Sequence, residues 1–315
     1  MSVRSVGTAI ALGLVLGATS ALAAETKPGE AKAGEAASGA AKSGEAKPAK
    51  PKATKTKTAA TAPDAGKRSL PTARLDSLRA DLAGEDDAAA IAAAAALGAS
   101  GAANAAEPLA ELLAAGAAPG RTEAALDALG KLGGAGALTA PRVFEVLDLY
   151  AGHRAPEIRQ RAVKALGTVK DPRATTTLLA RLGDAAPGVR ASAGDALAAR
   201  RDRAATVRLF ALVKKSDAGA ASPLATLAGP DLIPQIAELA GSVDDGVLAT
   251  TLGEYAQRDD VPDRLRVDVV RTLSGMGGAA ATTALVEYIA SVPSKDDRPS
   301  KREAQKLLDT REAAK

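Results

Sequence analysis

The side chains best suited to chemistry are few in this sequence, and they lie far apart. The single histidine, His153, has Asp148 and Glu157 as its nearest acidic neighbours along the chain. A histidine can serve as a general base or a metal ligand, but a zinc site needs several nitrogen or sulfur ligands and a catalytic triad needs a partnered nucleophile. The chain has no second histidine and no cysteine. We therefore predict that His153 lies in a surface turn and that the protein is not an enzyme and uses no metal or cofactor.

Four pairs of adjacent aspartates are the next candidates, because paired carboxylates can carry out acid–base catalysis or bind calcium. None has the D-x-[DN]-x-[DN]-G spacing of a calcium-binding loop. Each pair stands beside a predicted helix start, where a carboxylate can accept hydrogen bonds from free backbone N–H groups. Helix capping is the preferred interpretation for all four, which are Asp86-Asp87, Asp244-Asp245, Asp259-Asp260 and Asp296-Asp297.

The strongest positive cluster outside the N-terminal tail is Arg200-Arg201-Asp202-Arg203, and Arg208, Lys214 and Lys215 follow it. Such a cluster can attract a phosphate-bearing or acidic partner. The arginine run contains no aromatic residue for base stacking, so we do not predict nucleic acid as a partner. A solvated turn between helices is the preferred interpretation, and anion binding is the alternative.

The stretch from Ala155 to Val189 indicates which elements position these side chains. Its first half places apolar residues at i, i+4, i+7 and i+8, which form one helical face, and Gly167 follows as a helix-end signal. Asp171-Pro172 predicts a turn, and a second apolar face ends before Gly183. Two helices this short cannot bury their apolar faces alone, so they require similar neighbours.

A leucine followed by a small residue closes one helix of each such unit. Successive pairs are 32, 37, 31, 30, 25 and 21 residues apart. Spacings in the low thirties are typical of degenerate helix-pair repeats. The short final spacings predict an irregular register near residues 245–274, where Val247–Ala256 and Arg264–Leu273 would be two successive helices of one type. The pairs are Leu97-Gly98, Leu129-Gly130, Leu166-Gly167, Leu197-Ala198, Leu227-Ala228, Leu252-Gly253 and Leu273-Ser274.

This pattern resembles a HEAT repeat. The matching residues are Ile158-Arg159, Ala162, Ala165-Leu166-Gly167 and Asp171-Pro172, and then Asp184, Val189-Arg190, Ala193 and Ala196-Leu197. The resemblance implies antiparallel helix pairs stacked into a curved solenoid. It also implies a ladder of Asp and Arg side chains between adjacent units, with Asp184 and Arg190 as the best match and Asp260 with Arg266 as a second one. In the same register, Asp245 faces Thr251, so the ladder would be interrupted.

Composition agrees with an all-α class. Aromatic residues make up only 2% of the 315 residues, and there is no Trp. Small side chains allow close helix approach and suit thin two-layer packing. Because few apolar runs have a period of two, we predict no sheet. The fold prediction is an α-solenoid of stacked antiparallel helix pairs over residues 70–315, with a polar capping helix from Ser300 to Ala313.

The N-terminal part has a different character. Residues 1–23 have the features of a secretory signal peptide, with Arg4, an apolar segment from Ile10 to Leu16 and an A-x-A cleavage site at Ala21-Leu22-Ala23. Residues 24–69 form an Ala/Lys/Pro/Gly-rich linker without large apolar residues, which predicts disorder. The apolar segment is too short to span a bilayer, so we expect no transmembrane segment after cleavage. The predicted location is the periplasm or the extracellular space.

The positive charge is concentrated in the linker. Residues 24–68 hold ten Lys or Arg and five Asp or Glu, whereas the whole chain has a net charge of +4. With Arg4 in the signal peptide, this distribution leaves residues 69–315 slightly acidic. The lysines of the linker offer weak contacts to anionic envelope polymers.

The sequence leads to one preferred function and two alternatives. The preferred function is a non-enzymatic scaffold that binds a protein partner on the solenoid surface. One alternative is an envelope-associated structural protein held by its cationic linker. The other is an enzyme of the bilin-lyase type, since some HEAT-like repeat proteins resemble such lyases. If the HEAT geometry holds, the predicted partner-binding residues on the concave face are Gln160, Arg161, Lys164, Ser192, Asp195, Asp268 and Arg271.

Overall fold

The computed structural model describes residues 68–138 and 141–313. The predicted signal peptide and almost all of the predicted linker lie outside the described residues. Within the described ranges the backbone forms fifteen α-helices, four short 3₁₀ turns and no β-strand. The helices are α1 Thr72–Ala83, α2 Asp87–Ser100, α3 Ala106–Ala115, α4 Pro119–Gly134, α5 Pro141–Ala151, α6 Pro156–Thr168, α7 Arg173–Arg181, α8 Pro187–Ala199, α9 Thr206–Val213, α10 Ala221–Leu227, α11 Ile233–Ala237, α12 Asp245–Gln257, α13 Asp263–Met276, α14 Ala279–Ser291 and α15 Pro299–Ala313.

The helices form two layers. The even-numbered helices α2 to α14 pack one against the next in chain order, and each also packs against the odd-numbered helix that precedes it. The odd-numbered helices touch one another less, and α9 makes no extensive contact with α7 or α11. The prediction of an all-α stack of helix pairs is confirmed.

The leucine-plus-small-residue pattern marks the even layer. Six leucines of the predicted series, from Leu97 to Leu252, are buried in it, and Leu285 of α14 continues the row. The four glycines that follow these leucines, at positions 98, 130, 167 and 253, each face the next even helix. A Cβ added at Gly98 would lie 2.7 Å from Cα of Ala128, and one added at Gly253 would lie 2.9 Å from Cβ of Ala284. Helices approach this closely only where side chains are minimal, which explains the recurrence of glycine and alanine.

The prediction for residues 245–274 is wrong in one respect. Helices α12 and α13 are not of one type, because α12 packs between α10 and α14 in the even layer whereas α13 packs against α11 and α15 in the odd layer. Leu252 therefore belongs to the even row, and Leu273 is a buried residue of the other layer. The spacing shortens before Leu252 because α10 has seven residues and α11 has five.

Candidate functional site

The candidate site is the solvent-facing side of α4, α6 and α8, which we call the even-layer strip. It begins with Arg161 of α6, whose guanidinium reaches back to α4. There Nη2 donates to Glu123 at 2.9 Å and Nη1 donates to Asp127 at 2.5 Å. Hydrogen bonding to Asp127 is the main reason why the pKa of Arg161 lies above its ordinary value. These bonds hold the guanidinium across two adjacent helices.

The strip continues from α6 to α8. Gln160 donates from Nε2 to Oγ of Ser192 at 3.2 Å. Asp195, one turn further along α8, is exposed at the surface. Neighbouring protein nevertheless removes enough water to raise the pKa of its carboxyl group, and the positive charge of Lys164 opposes this shift. Neither Asp195 nor Lys164 has a hydrogen bond or close ion pair among the described side chains.

The structure brings together five of the seven predicted partner-binding residues. Gln160, Arg161, Lys164, Ser192 and Asp195 all lie on α6 and α8. Ser192 is only 4% exposed, so it supports Gln160 and is not available to a partner.

The remaining two residues lie elsewhere. Asp268 and Arg271 are on α13 in the odd layer, and Arg271 donates from Nε to Glu303 of α15 at 3.0 Å. They share no face with the even-layer strip. After the short helices α10 and α11, the pattern that marks even helices up to α12 recurs on α13, which belongs to the odd layer.

The ladder of Asp and Arg side chains exists with different partners from those predicted. Asp184 accepts two hydrogen bonds from Arg159, at 2.9 Å from Nε and 2.7 Å from Nη2. Arg190 donates from Nε to the carboxylate of Asp217 at 2.5 Å. It contacts Asp184 through the backbone carbonyl and not through the carboxylate. Each arginine thus donates to backbone carbonyls of the turn before its own helix and to the aspartate carboxylate of the corresponding turn in the next unit. The ladder thus joins adjacent units, as the HEAT resemblance implies, and Asp184 and Arg190 each pair with a residue of a neighbouring unit and not with each other.

The second predicted rung, Asp260 with Arg266, also does not form. Asp260 pairs with Arg258 at 2.5 Å. Arg266 is buried and donates to the backbone carbonyls of Ala256 and Arg258. Arg266 therefore closes the turn that precedes its own helix.

The four aspartate pairs divide into two groups. Asp86 accepts from the backbone N–H of Ala88 and Asp244 from that of Val247, so both cap helices as predicted. Asp259-Asp260 and Asp296-Asp297 do not cap helices. Asp260, Asp296 and Asp297 are held instead by nearby arginines, which are Arg258, Arg298 and Arg302.

His153 lies at the turn between α5 and α6, as predicted. Its Nδ1 accepts a hydrogen bond from the backbone N–H of Ala155 at 3.1 Å, and its ring stacks on Tyr150 with centroids 6.0 Å apart. These contacts give the ring a structural role. The turn borders a cleft of about 760 Å³. Leu149 lines this cleft and is 70% exposed. The cleft was not predicted from the sequence, although Leu149, an apolar residue at an outward helix position, was a signal for it.

The strip carries charged side chains that are suited to polar binding. Among the described residues, no group of three or more His, Asp or Glu side chains is arranged to hold a metal ion. The strip instead presents alternating charges on successive helices, with Arg161 between two carboxylates and Lys164 near Asp195. Alternating charges at helix spacing can recognise a second polar surface through charge complementarity.

Comparisons with known proteins agree with the architecture. Residues 143–228, from α5 to the end of α10, match a family model described as HEAT repeats. No curated protein matches the chain in sequence. No helix in residues 68–138 and 141–313 is long and apolar enough to cross a membrane.

Three solved structures that match the chain are distant from it in sequence. The complex of CpcE and CpcF of phycocyanin lyase from Nostoc sp. PCC7120 is 18% identical, with a TM-score of 0.42, and the match covers 78% of this chain and 97% of that chain. An engineered protein is 18% identical, with a TM-score of 0.33 and coverage of 76% and 96%. A designed armadillo repeat protein is 19% identical, with a TM-score of 0.32 and coverage of 75% and 98%. The two-layer packing makes the described part of the chain an α-solenoid, and residues 143–228 of it match HEAT repeats.

Proposed function

We propose that this protein is a non-enzymatic scaffold of the periplasm or the extracellular space, and that it binds a protein partner on the even-layer strip. The observation that carries the proposal is the alignment of polar side chains on α4, α6 and α8. Arg161 and Gln160 are held in place by neighbouring helices, whereas Lys164 and Asp195 remain exposed without hydrogen-bond partners among the described residues. Pre-positioned charges lower the cost of ordering an interface.

The location rests on the sequence features of residues 1–23. Fractionation of the source cells, with protease added to intact and to opened envelopes, tests it. The mature chain should be found in the periplasmic or external fraction, and recovery with the cytoplasm would contradict this part of the proposal.

Partner binding can be tested with two matched positions. Asp195 on α8 and Asp268 on α13 are both exposed aspartates, but they lie on different layers. A photo-crosslinking residue at position 195 of the full chain should capture one discrete protein in intact cells, and the same residue at position 268 should not. Lys164→Glu, which reverses a charge beside Asp195, should abolish the product. Absence of a product at position 195, or the same product at both positions, would contradict the proposal.

A further inference from the structure

A basic depression lies at the edge of the solenoid, away from the even-layer strip. It forms where the turn between α6 and α7 meets the turn between α8 and α9. Its volume is about 510 Å³. The residues that line it are Lys170, Thr175, Arg200, Arg201, Asp202 and Arg203.

Arg200 joins the two turns. Its Nη1 donates to the carbonyl of Val169, and its Nη2 donates to the carbonyl of Asp171 at 3.2 Å. The backbone on either side of Lys170 is therefore tied to the α8–α9 turn. The Nε–H of Arg200 is buried and has no acceptor. These bonds fix Arg200 and the backbone beside Lys170 in the wall of the depression.

The other cations of the depression form no hydrogen bond or close ion pair with the described protein. Most arginines of residues 68–138 and 141–313 donate to a carboxylate or a backbone carbonyl. Lys170, Arg201 and Arg203, by contrast, have no hydrogen bond or ion pair from their side chains to the described residues. The one acid of the lining, Asp202, already accepts from the backbone N–H of Ala204. Three positive side chains without hydrogen-bond partners among the described residues therefore border the depression, and with Arg200 they outnumber its single carboxylate.

Arg201 also occupies a backbone position that favours glycine. Its φ is +55°, in the left-handed region. The equivalent residue after α4 is Gly136, with φ +78° and the same pair of closing hydrogen bonds. After α4, Gly136 N–H donates to the carbonyl of Gly133 and Ala137 N–H to that of Leu132. After α8, Arg201 N–H donates to the carbonyl of Ala198 and Asp202 N–H to that of Leu197. A side chain in this conformation costs free energy that glycine avoids. Ser216 after α9 has the same conformation, with φ +59°, so the conformation alone does not assign a role to Arg201, but it makes Arg201→Gly a substitution that the backbone tolerates.

We propose that this depression binds a phosphate group, with Arg201, Arg203 and Lys170 as its ligands. A guanidinium presents paired donors that match phosphate oxygens, and Lys170 adds a point charge. Thr175, at the first turn of α7, offers a hydroxyl on the same wall. The group belongs either to a soluble phosphate compound or to a phospholipid headgroup, and the same site chemistry serves both.

Arg201→Gly is the decisive variant, because it removes the ligand and relieves the backbone at the same time. The variant should therefore fold at least as well as the wild type, so a loss of binding cannot be attributed to unfolding. Arg203→Gln is the second variant. Lys215→Gln is the charge-matched control, since Lys215 is an exposed cation beyond the other end of α9. All variants are made in the full chain, so any contribution of the basic linker is the same in each.

The binding assays use pyrophosphate in calorimetry and vesicles in sedimentation, both at about 0.15 M salt to screen weak surface attraction. The vesicles contain phosphatidylcholine with or without phosphatidic acid. Arg201→Gly and Arg203→Gln should each weaken pyrophosphate binding at least tenfold, and Lys215→Gln should leave it unchanged. If only the phosphatidic acid vesicles give this pattern, the phosphate group is that of a lipid. Absence of binding in both assays, or equal weakening by Lys215→Gln, would overturn the proposal.

Discussion

Two glycines at equivalent positions should respond in opposite ways to replacement by alanine. Gly98 and Gly130 both follow the buried leucine of an even helix. A Cβ at Gly98 would lie 2.7 Å from Cα and 3.1 Å from the carbonyl oxygen of Ala128, so backbone atoms would have to move. A Cβ at Gly130 would lie 3.8 Å from Cα of Ala165, which is an ordinary contact. Replacement of glycine by alanine therefore causes steric overpacking in α2 and no strain in α4.

The expected free energies follow from two opposing effects. Alanine is favoured over glycine inside a helix by about 1 kcal/mol. Overpacking of a tight core costs about 1–3 kcal/mol. Gly130→Ala gains helix propensity without overpacking, so the free energy of unfolding should rise by about 0.5–1 kcal/mol. Gly98→Ala should lose about 0–2 kcal/mol after both terms are combined, and the two variants should therefore differ by about 1–3 kcal/mol.

Urea unfolding followed by far-UV circular dichroism measures this difference. Because a repeat stack can open locally, amide hydrogen exchange should accompany it. Faster exchange in Gly98→Ala should be concentrated in α2 and α4, which pack directly against each other. If both variants shifted stability in the same direction by the same amount, close approach of the even helices would not be the reason for glycine at position 98.

Two further predictions concern buried polar groups. Tyr255→Phe should raise the melting temperature, because the Tyr255 hydroxyl is fully buried without a partner and such a group costs about 1–3 kcal/mol. Tyr288→Phe is the matched control and should lower it, since that hydroxyl is hydrogen-bonded to Ser300 at 2.5 Å; equal shifts would contradict the assignment. Asp184→Asn should cost about 2 kcal/mol in urea unfolding at neutral pH. The hydrogen bonds from Arg159 lower the pKa of Asp184 in the folded state, so the carboxylate stabilises the fold above about pH 4 and this contribution is lost as the pH falls through the lowered pKa. A difference between wild type and Asp184→Asn that did not shrink in acid would refute this reasoning.

The amino-acid sequence by itself determined the helical class and the repeated unit. Apolar spacing at i, i+4, i+7 and i+8 is a local property, and so are the turn signals at Asp171-Pro172 and Gly183. The leucine-plus-small-residue pattern also located the even-numbered helices as far as Leu252. It did so because leucine fills the space between layers and a small residue is required wherever two helices cross closely.

Only the tertiary structure decided which charged residues meet. Asp184 and Arg190, six positions apart, are the best match to the ladder that the HEAT resemblance implies, but Asp184 is bound by Arg159 and Arg190 by Asp217. Likewise, Asp268 carries the same outward pattern as Asp195 and yet lies on the other layer. Long side chains reach across units, and five-residue α11 replaces a full helix, so neither outcome follows from local spacing. The sequence thus defines each helix and its buried face, whereas the distances between helices select the polar contacts and the candidate binding surfaces.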